Sequence, residues 1–340
     1  MLPLLLALLR SSLLVSGAPF PQHRYDVPAL FVFGDSFVDS GNNNFFNTSA
    51  KCNHPPYGIN FEGRRSTGRW SDGLIVTDYI ASFLGLPYPP NFHDKRGNFS
   101  TGANFASASA GIFNTTGLQG IRTFEQQIGD FEQLSTTLEQ HHGHRTISRA
   151  IFYLNIGTND VANAVRATGS QAPLELLAAL LRSLERDLRR LYSCGARKMV
   201  VVSAAIIGCP PLEKRSLPCK PAGESSARAY NRALQQLLRD FSSSHLGLHI
   251  VYANLHDLMM GVIQQPGAFG LSSTVDPCCP VGGGRWCNAT DSYCSNPSQY
   301  LFWDIAHPSS AFNRIAAHRF WNGTLRETFP FNIRHLASLW

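Results

Sequence analysis

Short, mainly apolar runs alternate along this chain with longer stretches whose apolar residues recur every three or four positions. The runs are Ala29 to Phe33, Ile151 to Ile156, Met199 to Ala205 and Leu248 to Tyr252. Such runs suit strands buried on both faces. Ala103 to Ala108 is a weaker candidate, because Ala and Ser form strands poorly. The periodic stretches predict helices. Leu74 to Leu84 is one; Leu174, Leu177, Leu181, Leu184, Leu188 and Leu191 form the stripe of a second. Ala229, Ala233, Leu237 and Phe241 mark a third, and a last helix opens at Ser309 or Ser310 and runs to Trp321. Strands alternating with helices, through connections too long for hairpins, imply a central, mostly parallel sheet covered on both faces. The expected fold is therefore a three-layer α/β sandwich. Reactive groups in such folds collect at the carboxyl ends of the strands. No composition shift marks a boundary, so one domain is expected over residues 26–340, with the cysteine-rich Pro277 to Pro297 as a stapled insertion.

Composition supports a packed globule: 44% of the 340 residues are apolar and only 15% charged, which excludes a disordered chain. The 29 basic and 23 acidic residues give +6, without a run of five like charges. A nucleic-acid surface would need clustering that is absent, which leaves only long-range attraction to acidic polysaccharide.

Residues 1–18 read as a signal peptide: an apolar stretch, interrupted by Arg10, that ends in Ser16, Gly17 and Ala18. That stretch is too short for a membrane anchor. Five sequons, at Asn47, Asn98, Asn114, Asn288 and Asn322, agree with export and glycosylation. Eight cysteines, four of them between Cys278 and Cys294, read as disulfides in an oxidising compartment. Zinc is the rival, but Cys278 and Cys279 are adjacent and no Cys-x2-Cys pair occurs. The pairing is not readable from spacing. No metal and no cofactor is expected.

The first strand runs into Gly34-Asp35-Ser36, which places a serine at a strand's carboxyl end. A serine hydroxyl needs a base to act as a nucleophile. Of the 12 histidines, His307 has an aspartate, Asp304, three residues before it, so one local turn presents both. Asn159, in Gly157-Thr158-Asn159-Asp160, can donate its side-chain amide to an oxyanion. Gly111 lets a substrate approach a backbone N–H. Each motif alone is also an ordinary turn; their common position at the sheet's end gives them weight.

These blocks resemble the plant-type GDSL esterase/lipase family of the SGNH hydrolases. The resemblance runs from Phe31 to Asn322. It is carried by Phe33-Gly34-Asp35-Ser36 through Asn43, Pro55-Pro56-Tyr57-Gly58, Gly68-Arg69-Trp70-Ser71-Asp72-Gly73, Gly157-Thr158-Asn159-Asp160, Cys278-Cys279 and Phe302-Trp303-Asp304 through His307-Pro308. It implies an SGNH, flavodoxin-like fold. It also implies Ser36 as nucleophile, His307 as base, Asp304 as its orienter, and an oxyanion hole of the Ser36 and Gly111 amides with Asn159. Phe37 replaces the leucine of the family's name, and Ala306 stands where a larger residue is usual. Cys194 takes an apolar residue's place and is a candidate free thiol.

The resulting expectation is a secreted carboxylic ester hydrolase acting on a small-molecule, lipid or cell-wall ester. Acyl transfer by the same triad and a non-catalytic binding scaffold are the alternatives. His141, His142 and His144 invite a metal but read as a solvated loop. Arg69, Asp72 and Asp39 read as a buried ion pair or as substrate contacts, and Asp160 as support for its loop.

Overall fold

A computed structural model of the protein describes residues 25–142, 144–211, 219–280 and 286–340. The expected leader therefore lies outside the described residues. In chain order the main elements are β1 (Leu30–Gly34), α1 (Val76–Leu84), β2 (Gly102–Asn104), α2 (Phe124–His142), α3 (His144–Arg149), β3 (Ile151–Asn155), α4 (Thr158–Thr168) and α5 (Leu174–Ser193). They continue with β4 (Lys198–Val202), α6 (Pro221–Ser244), β5 (His249–Ala253), α7 (Leu255–Gln264), α8 (Ser310–Asn322), β6 (Thr328–Phe329) and α9 (Ile333–Ser338).

The sheet order is β2-β1-β3-β4-β5-β6. The first five strands are parallel, and only the two-residue β6 is antiparallel. Alternate strand residues separate two cores. Phe31, Phe33, Phe152, Leu154, Met199 and Val201 pack under α2, α5 and α6. Leu30, Val32, Tyr153, Val200 and Val202 pack under α1, α7, α8 and α9. The result is the three-layer α/β sandwich with a flavodoxin-like strand order. A switch point falls between β1 and β3, where the sheet grows first one way and then the other.

Local contacts set the element ends. Asn104 ends β2 early: its side chain accepts from Ala106 N–H and donates to the Val38 carbonyl, breaking the regular ladder although Phe105 and Ser107 N–H still reach Val32 O and Gly34 O of β1. The expected strand through Ala108 therefore stops at Asn104. The third helix buries Ala227, Tyr230, Leu234, Leu238 and Phe241, whereas Ala233 is exposed and Ala229 and Leu237 are half-buried. That corrects the expected stripe, because the large Tyr230 ring, not the small alanines, sets the buried face. In α5, Leu177, Leu180, Leu184, Leu188 and Leu191 are buried and Leu174 is 71% exposed. The three histidines do not lie in a loop: Phe124, Ile128, Phe131, Leu134 and Leu138 hold α2 helical through His141 to His142, and α3 starts at His144. His141 is exposed; the side chains of His142 and His144 lie outside the described residues. The last helix starts as expected, with the Ser309 side chain accepting from Phe312 N–H.

Three disulfides join Cys209 to Cys219, Cys278 to Cys294 and Cys279 to Cys287; Cys52 and Cys194 are free. Cys279, Cys287 and Asp291 fall within ligand distance of one another, but the two sulfurs are bonded together. Among the described residues no helix is long and apolar enough to cross a membrane.

Candidate active site

Gly34 ends β1 with φ of 146°, and a Cβ there would stand 2.2 Å from the Asn155 carbonyl oxygen of β3. Only glycine allows that approach, and it lets the chain turn to expose Ser36. The turn is clamped from below. The buried Gln127 of α2 accepts from Gly34 N–H and donates to Gly34 O, each at 2.9 Å. Asp35 N–H reaches Asn155 O at 3.1 Å.

Ser36 Oγ stands 2.9 Å from His307 Nε2. His307 Nδ1 lies 2.8 and 2.9 Å from the two oxygens of Asp304. Asp304 also accepts from Ala306 and His307 N–H, at 2.9 and 2.8 Å, and from the Tyr57 hydroxyl at 2.7 Å. Full burial opposes ionisation of Asp304, but the His307 charge and these donors outweigh it and hold the carboxyl below its ordinary range. Tyr57 is driven well above its ordinary range by burial and the adjoining carboxylate, so it stays a neutral donor.

A cavity of about 280 Å³ opens over this row. Phe37, Ile206, Ile207, Met259 and Phe302 form its apolar wall, and Ser109, Asn159 and Asn163 its polar one. Asn159 lies in the first turn of α4 and donates to Ala110 O at 2.9 Å. The segment before it presents Ala108 and Ser109 to the cavity, not Gly111. Gly111 is packed instead: a Cβ there would stand 2.3 Å from Thr116 Cγ2 and 2.6 Å from Asp160 Oδ1. Ser109 adopts φ of 76° although it is not glycine, and its N–H donates to no other described residue. Asp160 holds this loop by accepting from Ile112 and Phe113 N–H and the Thr116 hydroxyl.

Arg69, Asp72 and Asp39 do not line the cavity. Arg69 pairs through two nitrogens with the buried Asp78, at 2.8 and 2.7 Å. Asp72 accepts from Asn60 and Ser310 N–H, and Asp39 from the Gly41, Asn42 and Ala108 amides. Burial still pushes Asp39 up to about 6 and Asp35 up to about 7. Sequence reading missed the supports Gln127 and Tyr57, and Ser109 at the cavity. Tyr57 lies in one of the quoted blocks, but its partner is 247 positions away.

A hydroxyl, an imidazole and a carboxylate in line, at the carboxyl end of a parallel sheet, define a serine hydrolase. The GDSL-like Lipase/Acylhydrolase family model matches residues 30–320, and the chain belongs to that family. It is 33% identical to GDSL esterase/lipase 7 of Arabidopsis thaliana over 94% of each chain. It is 31% identical to GDSL esterase/lipase 6 of the same plant, over 96% of this chain and 95% of the relative. Among solved structures, a catalytic mutant of Axe2, an acetylxylan esterase from Geobacillus stearothermophilus, matches with a TM-score of 0.38 and 13% identity, covering 90% and 95% of the two chains. That likeness is too slight to bear on the substrate.

Proposed function

We propose that the protein is a secreted carboxylic ester hydrolase working through an acyl-enzyme on Ser36. The observation that carries this is the continuous row from Ser36 through His307 to Asp304, open to a cavity with one apolar and one polar wall. His307 takes the Ser36 proton as Oγ attacks the ester carbonyl. The tetrahedral oxyanion is held by the Ser36 amide, a backbone amide of the 108–111 segment, and the Asn159 side chain. Ser109 is the better donor from that segment, because it faces the cavity and Gly111 does not. His307 then gives its proton to the departing alkoxide and the alcohol leaves. Water, deprotonated by His307, attacks the acyl-enzyme; collapse releases the acid, and the proton returns to Ser36. Asp304 keeps the imidazole in the tautomer whose Nε2 faces Ser36 and offsets the imidazolium charge.

At about 280 Å³ the cavity sits at the small end of ligand pockets, which favours short to medium acyl groups. Secretion is supported by the leader-like segment, three disulfides, and the exposure of all five sequon asparagines, Asn47, Asn98, Asn114, Asn288 and Asn322. One domain from residue 26 onward carries the chemistry. A panel of p-nitrophenyl esters of graded acyl length, with acetylated polysaccharide and a triacylglycerol, tests this beside Ser36→Ala. Expected is hydrolysis strongest for short and medium chains and absent in the variant. Equal hydrolysis by Ser36→Ala would overturn the reading.

A further inference from the structure

Two of the three disulfides lie in one short insertion, and nothing in the hydrolytic steps above uses them. The insertion is bonded to the catalytic turn. Cys278 N–H donates to Phe302 O at 3.0 Å and Cys279 N–H to Trp303 O at 2.7 Å, immediately before Asp304. The Cys279–Cys287 bridge then fixes the position of the residue beside Cys287, which is Trp286. The Trp286 ring lies 5.2 Å from the His307 ring and 4.9 Å from that of Trp70, and Trp70 lies 4.7 Å from His307. The two indoles therefore form a corner around the imidazole.

We propose that Trp286, delivered by the Cys279–Cys287 staple, is a positioning residue for His307. The inference rests on His307 acting as the base. Hydrogen bonds fix the two ring nitrogens, to Ser36 and Asp304, but not the tilt of the ring about the line joining them. The indoles of Trp70 and Trp286 restrict that tilt. They also offer π surfaces, within about 6 Å, to the imidazolium formed during attack, where the burial of His307 strengthens the attraction. Of the other titratable groups, Tyr57 bonds Asp304, the buried Cys52 thiol lies within the field of Asp304, and Arg166 of α4 lines the same cavity as the ring.

The test compares wild type, Trp286→Phe, Trp286→Leu and paired Cys279→Ser/Cys287→Ser on p-nitrophenyl acetate, whose acyl group is too short to probe the cavity wall. Trp286→Leu is expected to lower kcat about two- to thirtyfold, the range of one cation–π contact. KM should hardly change, and the acid limb of the kcat/KM profile should move to lower pH. Trp286→Phe should recover most of the rate, and the paired serine variant should follow Trp286→Leu. Without substrate, the His307 ring proton signal in histidine-labelled protein should shift in Trp286→Leu as the indole ring current is lost. An active wild type matched by Trp286→Leu in kcat, pH profile and resonance would overturn the inference. A Leu variant altered only in KM would reduce Trp286 to a cavity wall and overturn it too. A wild type that hydrolyses no ester would instead overturn the hydrolase reading itself.

Discussion

Asp35 precedes Ser36 and is 2% exposed. Its carboxyl accepts one good hydrogen bond, from Phe37 N–H at 3.0 Å, and a long one from the Asn155 amide at 3.5 Å. Burial pushes its pKa from 3.8 to about 7; the Phe37 amide opposes this in part, and the Asp160 and Asp39 charges add to it. A carboxyl with a higher pKa folded than unfolded holds its proton more tightly in the folded state. Its contribution to stability is therefore greatest below the unfolded pKa and is lost as pH rises through the folded one. Here that window runs from 3.8 to about 7. At 1.36 kcal/mol per unit, the loss is on the order of 4 kcal/mol. Asp35→Asn keeps the shape and the acceptor for Phe37 but cannot ionise. Urea unfolding of both proteins should show the variant gaining on wild type by roughly 1.4 kcal/mol per pH unit across that window. Curves that stay parallel between about pH 4 and pH 8 would refute the argument, since linkage then finds no proton retained by the fold.

Three further outcomes follow from named contacts. Asn159→Ala should lower kcat about 10²- to 10³-fold in steady-state ester hydrolysis, and near-wild-type turnover would remove Asn159 from the oxyanion hole. Arg69→Ala leaves Asp78 buried and uncompensated, so urea unfolding should show a loss of about 3–5 kcal/mol. A loss under about 1 kcal/mol would match an exposed pair and contradict the buried assignment. Gly111→Ala drives a methyl against Thr116 and Asp160 and should cost about 1–3 kcal/mol by the same assay, whereas an unchanged midpoint would show the loop has room.

Much of this architecture was legible because its signals are local. The β1 run ends at Gly34-Asp35-Ser36, and Asp304 with His307 fits in one turn, so both halves of the row could be named before their meeting was known. The parallel sheet followed from run length and spacing. What stayed hidden depends on distant partners or on backbone angles. Gln127 reaches Gly34 from 93 positions away. Gly111 looked like the cavity-facing amide because it is glycine, yet its missing Cβ makes room for Thr116 and Asp160, and the left-handed residue facing the cavity is a serine. Ala229, Ala233 and Leu237 misplaced the α6 stripe because hydropathy alone discounts a buried tyrosine hydroxyl, which Tyr230 has. β6 is two residues long and exists only by pairing with β5, so no sequence period could announce it.

The central claim is that the Ser36 hydroxyl is activated by His307 across a 2.9 Å contact. Treatment with a fluorophosphonate, followed by intact-mass and peptide mapping, tests it directly. The account predicts one adduct on the Ser36 peptide of wild type, none in Ser36→Ala, and sharply slowed labelling in His307→Ala. A well-folded wild type that takes no label, or a label that persists in Ser36→Ala, would contradict it.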